Sequence, residues 1–376
     1  MVAARRYIRS ITFQATLLGI LVFLSRYLTR AKLYYVDGPI LVHCIQSGTY
    51  VIQSPGYWLF THMGGIFTDP AHGLQFWNQL FSSVGVAVFF LTCCKFGIGR
   101  PMAWMASIAY GSIFFVWLAG VVHSSYGSQI LFAPLTLYCA LCYKDKPTIL
   151  RLLACGVSYA VGAGLRPSDG AFLAPLFLFL IFRYVRAWPR RVLLLLVTAI
   201  LCFSWYIPTQ LALRAAHTAS TGNQLSFARE VSPLLVGINL RSIANTLRVV
   251  LPILAAFWML LPVMFFQRSR EENVILLLWI APGLSFMLFV FMADPVYLTF
   301  MTGAIILMAA LSTPRPAAFG LLLLCAIFNV GLFLGAAPIR GAGRADQAVN
   351  FYIVKYCFYG VRHKWTTTIG KGAVVP

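Results

Sequence analysis

Charge is scarce in this 376-residue chain, and acid scarcest of all. Only 10% of residues are charged, with nine Asp or Glu against 29 Lys or Arg. A soluble domain carries about 25% charged residues, so a water-exposed fold is excluded. No polar stretch exceeds roughly 40 residues, too short for an ordinary soluble domain. The first apolar run continues to Leu28 without a small-residue cleavage site, so it reads as a retained helix and not a cleaved signal peptide. The nine cysteines lack metal-ligand spacing. Cys93-Cys94 and the Cys139/Cys142 pair lie inside apolar helical runs and read as small packing residues. No internal repeat or low-complexity stretch stands out.

What is present is apolar length. The hydrophobic fraction is 60%, and the mean hydropathy is +0.82. Runs near the bilayer-crossing length recur at 11–29, 80–96, 102–121, 127–143, 149–164, 170–186, 191–209, 247–266, 273–292, 297–312 and 317–336. They predict an all-α polytopic bundle of about 11 transmembrane helices, one integral membrane domain over residues 1–376. The net charge of +20 then reads as Lys and Arg gathered in cytoplasmic loops, with a share left for anionic lipid or phosphate, and not as a nucleic-acid footprint.

The basic connections alternate. Arg5, Arg6 and Arg9 precede the first run; Lys95 and Arg100, Lys144 to Arg151, Arg183 to Arg191, Arg268 and Arg270, and Arg315 follow alternate runs. The intervening short loops 122–126, 165–169 and 293–296 hold one base, Arg166. This asymmetry places the 30–79 loop, the 210–246 loop and the 337–376 tail outside. The 210–246 loop reads equally as a lid, an acceptor contact or a plain connector. Arg26, Arg30 and Lys32 interrupt the pattern at the outer end of the first run. They read either as snorkelling side chains or as an anion site beside Asp37.

The acids mark the rest. Asp37, Asp169 and Asp294 each sit within a few residues of a run's outer end, where ionisable groups are functional candidates. After Asp37, Gly38-Pro39 suits a helix start. The run Ile40 to Gln46 fits a short interfacial helix with His43 and Gln46 on one polar edge, ended by Gly48. Ser54-Pro55 starts a second short helix, with Tyr57, Trp58 and Phe60 as interface aromatics.

An acid just after the first span, two juxtamembrane helices and a Pro-aromatic step resemble the first outer loop of the GT-C superfamily of membrane glycosyltransferases. Protein O-mannosyltransferases and aminoarabinose transferases are its familiar members. Gly164-Leu165-Arg166-Pro167 is similar to the family's Arg-Pro step, and Asp294-Pro295-Val296-Tyr297 to the late outer loop lining its site. The resemblance implies that Asp37 is catalytic. Many relatives carry a second acid after the third span; here that loop is Val122-His123-Ser124-Ser125-Tyr126-Gly127, without a carboxylate. A divalent metal therefore stays open, with His123 either a replacement ligand or an ordinary polar loop residue.

The chemistry implies the same assignments. Inverting sugar transfer needs a general base for the acceptor hydroxyl and a clamp on the departing phosphate. Asp37 is the candidate base; Arg166, Arg26 and Arg30 are candidate clamps; His43, Tyr57, His123, Asp294 and Tyr297 complete the candidate substrate contacts. A nucleotide sugar needs a soluble binding fold, which is absent. The expected donor is a polyprenyl-phosphate-linked sugar, the acceptor a lipid, glycan or protein, and the setting the outer face of a bacterial inner membrane. The alternatives are a transporter or lipid flippase, or a non-catalytic membrane assembly subunit.

Overall fold

The computed structural model describes residues 2–30, 37–49, 57–215, 240–289 and 298–334, plus Leu234, Gly237 and Ile238. Asp294, Tyr297, Lys32, the 337–376 tail, most of the 210–246 loop and the side chain of Asp37 lie outside the described residues. The elements in order are α1 Val2–Leu28, α2 Asp37–Gln46, α3 Trp58–Gly65, α4 Pro70–Lys95, α5 Arg100–Ser112, α6 Phe114–Ala119 and α7 Gly127–Asp145. They continue as α8 Ile149–Leu165, α9 Pro167–Tyr184, α10 Trp188–Ala215, α11 Leu240–Phe257, α12 Arg270–Phe289, α13 Thr299–Leu311 and α14 Arg315–Leu334, with a 3₁₀ stretch, Trp258–Phe265, after α11. Extended pairing among the described residues is limited to one isolated bridge, Gln267 with Thr313.

Five of these helices are long and apolar enough to cross a membrane: Ser10–Leu28, Pro70–Lys95, Trp188–Ala212, Arg270–Phe289 and Arg315–Phe333. The other expected spans fall on helices that are shorter, broken or, like α7 (19 residues), less apolar. The second expected span starts earlier than its apolar core, because Asp69 Oδ1 caps the helix by accepting from Ala71 N at 3.0 Å, with Pro70 in the first turn. Asp69 is thereby a capping residue.

α2 forms where the Gly-Pro start predicts it. Leu41, Val42 and Ile45 are buried, His43 and Gln46 exposed, and Gly48 takes the left-handed φ of 72° that stops the helix. The aromatics of α3 behave differently from the expectation of an interface belt. Phe60 is fully buried and Tyr57 nearly so, because α3 packs on α2, α4 and α8 and shares a core with Leu41, Leu74, Phe81 and Phe132. α4 is the central helix, packed by α1, α3, α5 and α7. Its approach to α7 is closed by Gly85, where a Cβ would meet the Ile130 carbonyl oxygen at 2.5 Å.

The expected span 102–121 is broken at Ile113, whose ψ of 132° ends α5 and starts α6. In an apolar interior a freed backbone group must find an internal partner. Asn329 of α14 provides it: Phe114 N donates to Asn329 Oδ1 at 3.0 Å. The same amide donates to the carbonyls of Ala256 at 2.9 Å and Cys325 at 3.0 Å, so it also serves the end of α11, where the 3₁₀ stretch begins.

The connections expected on one side do meet at one end. Lys95 pairs with Asp145 at 2.5 Å, Lys144 with Glu271 at 3.2 Å and Arg183 with Glu271 at 3.1 Å. These pairs are partly exposed, each worth at most about 1 kcal/mol, so they record the arrangement more than they hold it. The helices' apolar faces do the holding, in a core running from Ala15 to Phe333.

Asn329→Leu keeps size but removes the acceptor of the Phe114 amide and leaves the Ala256 carbonyl only the weak Cys325 thiol at 3.5 Å. Unsatisfied buried groups cost about 1–3 kcal/mol each, so the purified protein should melt several degrees lower in detergent. Gly320→Ala, where an added Cβ meets nothing within 4 Å, should melt no lower than the parent.

Candidate functional site

At the other end of the bundle, the connection between α6 and α7 is buried. His123 is 3% exposed and Ser124 fully enclosed, with Ser125 and Tyr126 buried beside them. The sequence reading treated 122–126 as an outer loop; the structure folds it inward, because α4 carries polar groups that receive it. Gln75, Asn78, Gln79 and Ser82 recur at three- and four-residue spacing, so they share one face of α4, and all are buried. Gln75 Nε2 donates to the Val121 carbonyl at 3.0 Å, and Asn78 Nδ2 to those of Val122 at 2.7 Å and Ser124 at 2.5 Å. Gly127 packs so close to Asn78 that a Cβ there would clash with Oδ1. Sequence reasoning missed this ladder. Its signal was the amide and hydroxyl spacing ahead of an apolar run.

Arg26 supports the start of the same connection. Its guanidinium is 1% exposed, donates to Ser82 Oγ at 3.3 Å and to the Gly111 carbonyl, and stacks 4.5 Å from the Trp117 ring centre. It lies against Gly120, where a Cβ would come within 3.0 Å of Nε. Arg26 therefore points into the helix packing: the snorkelling reading is replaced by a buried tether between α1, α4 and α5. Arg30 is exposed and lies 4.4 Å from the Tyr27 ring.

Arg166 closes the connection from the opposite side. It stands in extended conformation between α8 and α9 and is 1% exposed. Nε lies 3.2 Å from Asp169 Oδ1 and 3.2 Å from Ser168 Oγ, and Nη1 donates to Ser125 Oγ at 3.2 Å. The guanidinium sits 4.0 Å from the Tyr126 ring centre and 5.9 Å from that of Tyr57 at the head of α3. Asp169 Oδ1 also accepts from Gln129 Nε2 at 2.8 Å. Asp169 is thus the counter-ion of Arg166.

The structure therefore brings Arg166, Tyr57 and the His123 loop together, with Arg26 beneath the loop's start. It does not add His43, which is exposed on the edge of α2, or Arg30. Among the described residues no three His, Cys, Asp or Glu side chains lie close enough to hold a metal ion. The planar fork of Arg166 beside two serine hydroxyls is donor chemistry suited to a phosphate oxyanion. His123 is not a second cation: burial lowers its imidazole to about 4, against a weak upward pull from Asp69.

Removing one partner of a buried ion pair costs about 3–5 kcal/mol, since the other is left uncompensated. Arg166→Ala should therefore lower the melting temperature sharply, and adding Asp169→Asn should recover a large part of the loss. The depressed imidazole gives a second expectation. A neutral buried His stabilises fully above its ordinary value near 6.5 and loses that contribution as pH falls towards about 4, because the unfolded chain takes the proton first. Melting measured from pH 7 to pH 4 should fall, and His123→Asn should flatten that dependence.

No family model matches the sequence, and no curated protein matches it. Among solved structures the chain is similar to ArnT from Cupriavidus metallidurans bound to undecaprenyl phosphate, with a TM-score of 0.53 and 14% identity. The match covers 91% of this chain and 70% of that one. At that identity the likeness is one of fold. Together with the apolar helices, it supports an integral membrane protein whose helices are arranged as in that structure.

Proposed function

We propose that this protein is a membrane glycosyltransferase of GT-C type that moves a sugar from a polyprenyl-phosphate donor to an acceptor at the extracytoplasmic face. The observation that carries this reading is the fold match to a structure holding undecaprenyl phosphate, joined to a buried arginine at a helix junction, Leu165-Arg166-Pro167, that resembles the Arg-Pro step of GT-C enzymes. In this reading Asp37, which opens α2, deprotonates the acceptor hydroxyl as it attacks the sugar's anomeric carbon. Arg166, aimed by Asp169, Gln129 and Ser125, stabilises the charge growing on the departing phosphate. Arg26 acts one step back, by holding Gly120 and Ser82. Tyr57 and His123 shape the wall beside Arg166, while Arg30, His43, Asp294 and Tyr297 are the proposed outer contacts. α2 and α3 pack together, and α3 packs on α8, which supports bringing the base and the clamp to one cleft.

Asp37→Asn removes the proton acceptor but keeps shape and helix-capping ability. Loss of a general base costs roughly 10²–10⁴-fold, so sugar transfer should fall at least about 100-fold while donor-lipid binding stays near the parent's. A folded Asp37→Asn protein with near-parental transfer would remove Asp37 from the reaction. Lipid movement without glycosylated product in the same assay would favour a flippase instead.

A further inference from the structure

The end of the bundle away from Arg166 carries a cavity of about 430 Å³, within the roughly 300–1,000 Å³ of small-molecule sites, lined by Lys144, Arg183, Arg186, Arg190, Tyr184 and Glu271 among others. We propose that it binds the phosphate group of an anionic ligand, the headgroup of a membrane phospholipid being the source that fits its surroundings. The site is separate from the transfer reaction, at the far ends of α8 and α9.

Four cations face one carboxylate here. Glu271 is already engaged by Lys144 at 3.2 Å, Arg183 at 3.1 Å and the Tyr184 hydroxyl at 2.8 Å. Arg186 and Arg190 join none of the ion pairs among the described residues. The cavity therefore holds more positive charge than its own acid balances. Its walls are tied in place. Arg191 donates to the carbonyls of Val185 at 2.5 Å and Phe182 at 3.2 Å, which pins the turn between α9 and α10. Arg190 reaches the Pro147 carbonyl at 3.3 Å, and Lys144 lies 4.9 Å from the Tyr184 ring. Basic residues that serve only to orient a membrane protein need exposure, not a concavity with tied walls.

The neighbours of the lining residues indicate a lipid. Phe182, Trp188 and Ile149 are large, apolar and exposed, and each is within two residues of a lining residue, Arg183, Ala187 or Pro147. Cations thus adjoin apolar surface, which is how a phosphate headgroup and its acyl chains are arranged. Arginine forks donate to phosphate oxygens in pairs.

The test is native mass spectrometry of the full chain in a neutral detergent, with phosphatidylglycerol or phosphatidylcholine added. Arg186→Gln with Arg190→Gln is compared with a charge-matched control, Lys146→Gln with Arg270→Gln, whose residues do not line the cavity. Two arginines in direct contact with a bound phosphate headgroup account for at least about tenfold in affinity. The cavity variant should lose phosphatidylglycerol by that factor, and the control should hold it within about twofold. A second arm adds millimolar inorganic phosphate. If phosphate displaces the lipid and raises the melting temperature of the parent but not of the cavity variant, the site also takes a soluble phosphate. If it does not compete, the headgroup alone is recognised. Equal lipid retention by the parent and cavity variant, equal loss in the control, or no binding of either probe by the parent would overturn the proposal.

Discussion

A polar group shut away from water has to be satisfied by the protein around it, and the α6–α7 connection concentrates that requirement. Its carbonyls at Val121, Val122 and Ser124 are met by Gln75 and Asn78 of α4. Arg26 meets Gly111 and Ser82 beneath it, and Arg166 meets Ser125 above. α1, α4, α5, α8 and α9 are thereby referred to one short segment. The broken third span follows the same rule, since Ile113 can leave helical geometry where Asn329 receives the next amide.

Five of the described basic residues divide into two kinds by what surrounds them. Arg26 and Arg166 are enclosed, and each is held by oxygens and an aromatic face. An enclosed cation of that kind costs desolvation and persists only with its partners, so it specifies position. Arg183, Arg186 and Arg190 lie at the opposite end, exposed, in a cavity with a single carboxylate. There solvent screens the charge, and an anionic ligand can compete for it.

Much of the arrangement was legible in the chain. Gly38-Pro39 marked α2 and Gly48 its end; the alternation of basic loops anticipated Lys95, Lys144 and Arg183 meeting at one end. The site was read less completely. Arg166 and Tyr57 were named but not Asp169's pairing with Arg166, nor Gln129, Gln75 and Asn78. Helical spacing shows that Gln75, Asn78 and Ser82 share a face, yet not which way the face turns. Tyr57 and Phe60 misled for the same reason: aromatics near a span end suit an interface or a core equally, and packing against α2 and α4 decides for the core.

By itself the sequence determined the solvent. Sixty per cent hydrophobic residues and so few acids admit a membrane bundle and little else, because apolar length and charge scarcity are local properties that need no partner to be counted. Tertiary structure alone decided that 122–126 folds inward, that Arg26 is a tether, that Asp169 answers Arg166, and that four cations line one cavity of about 430 Å³. Each of these depends on groups far apart in the chain meeting within a few ångströms. Burial and hydrogen bonding act on the neighbours a side chain receives, and only the packed helices supply them.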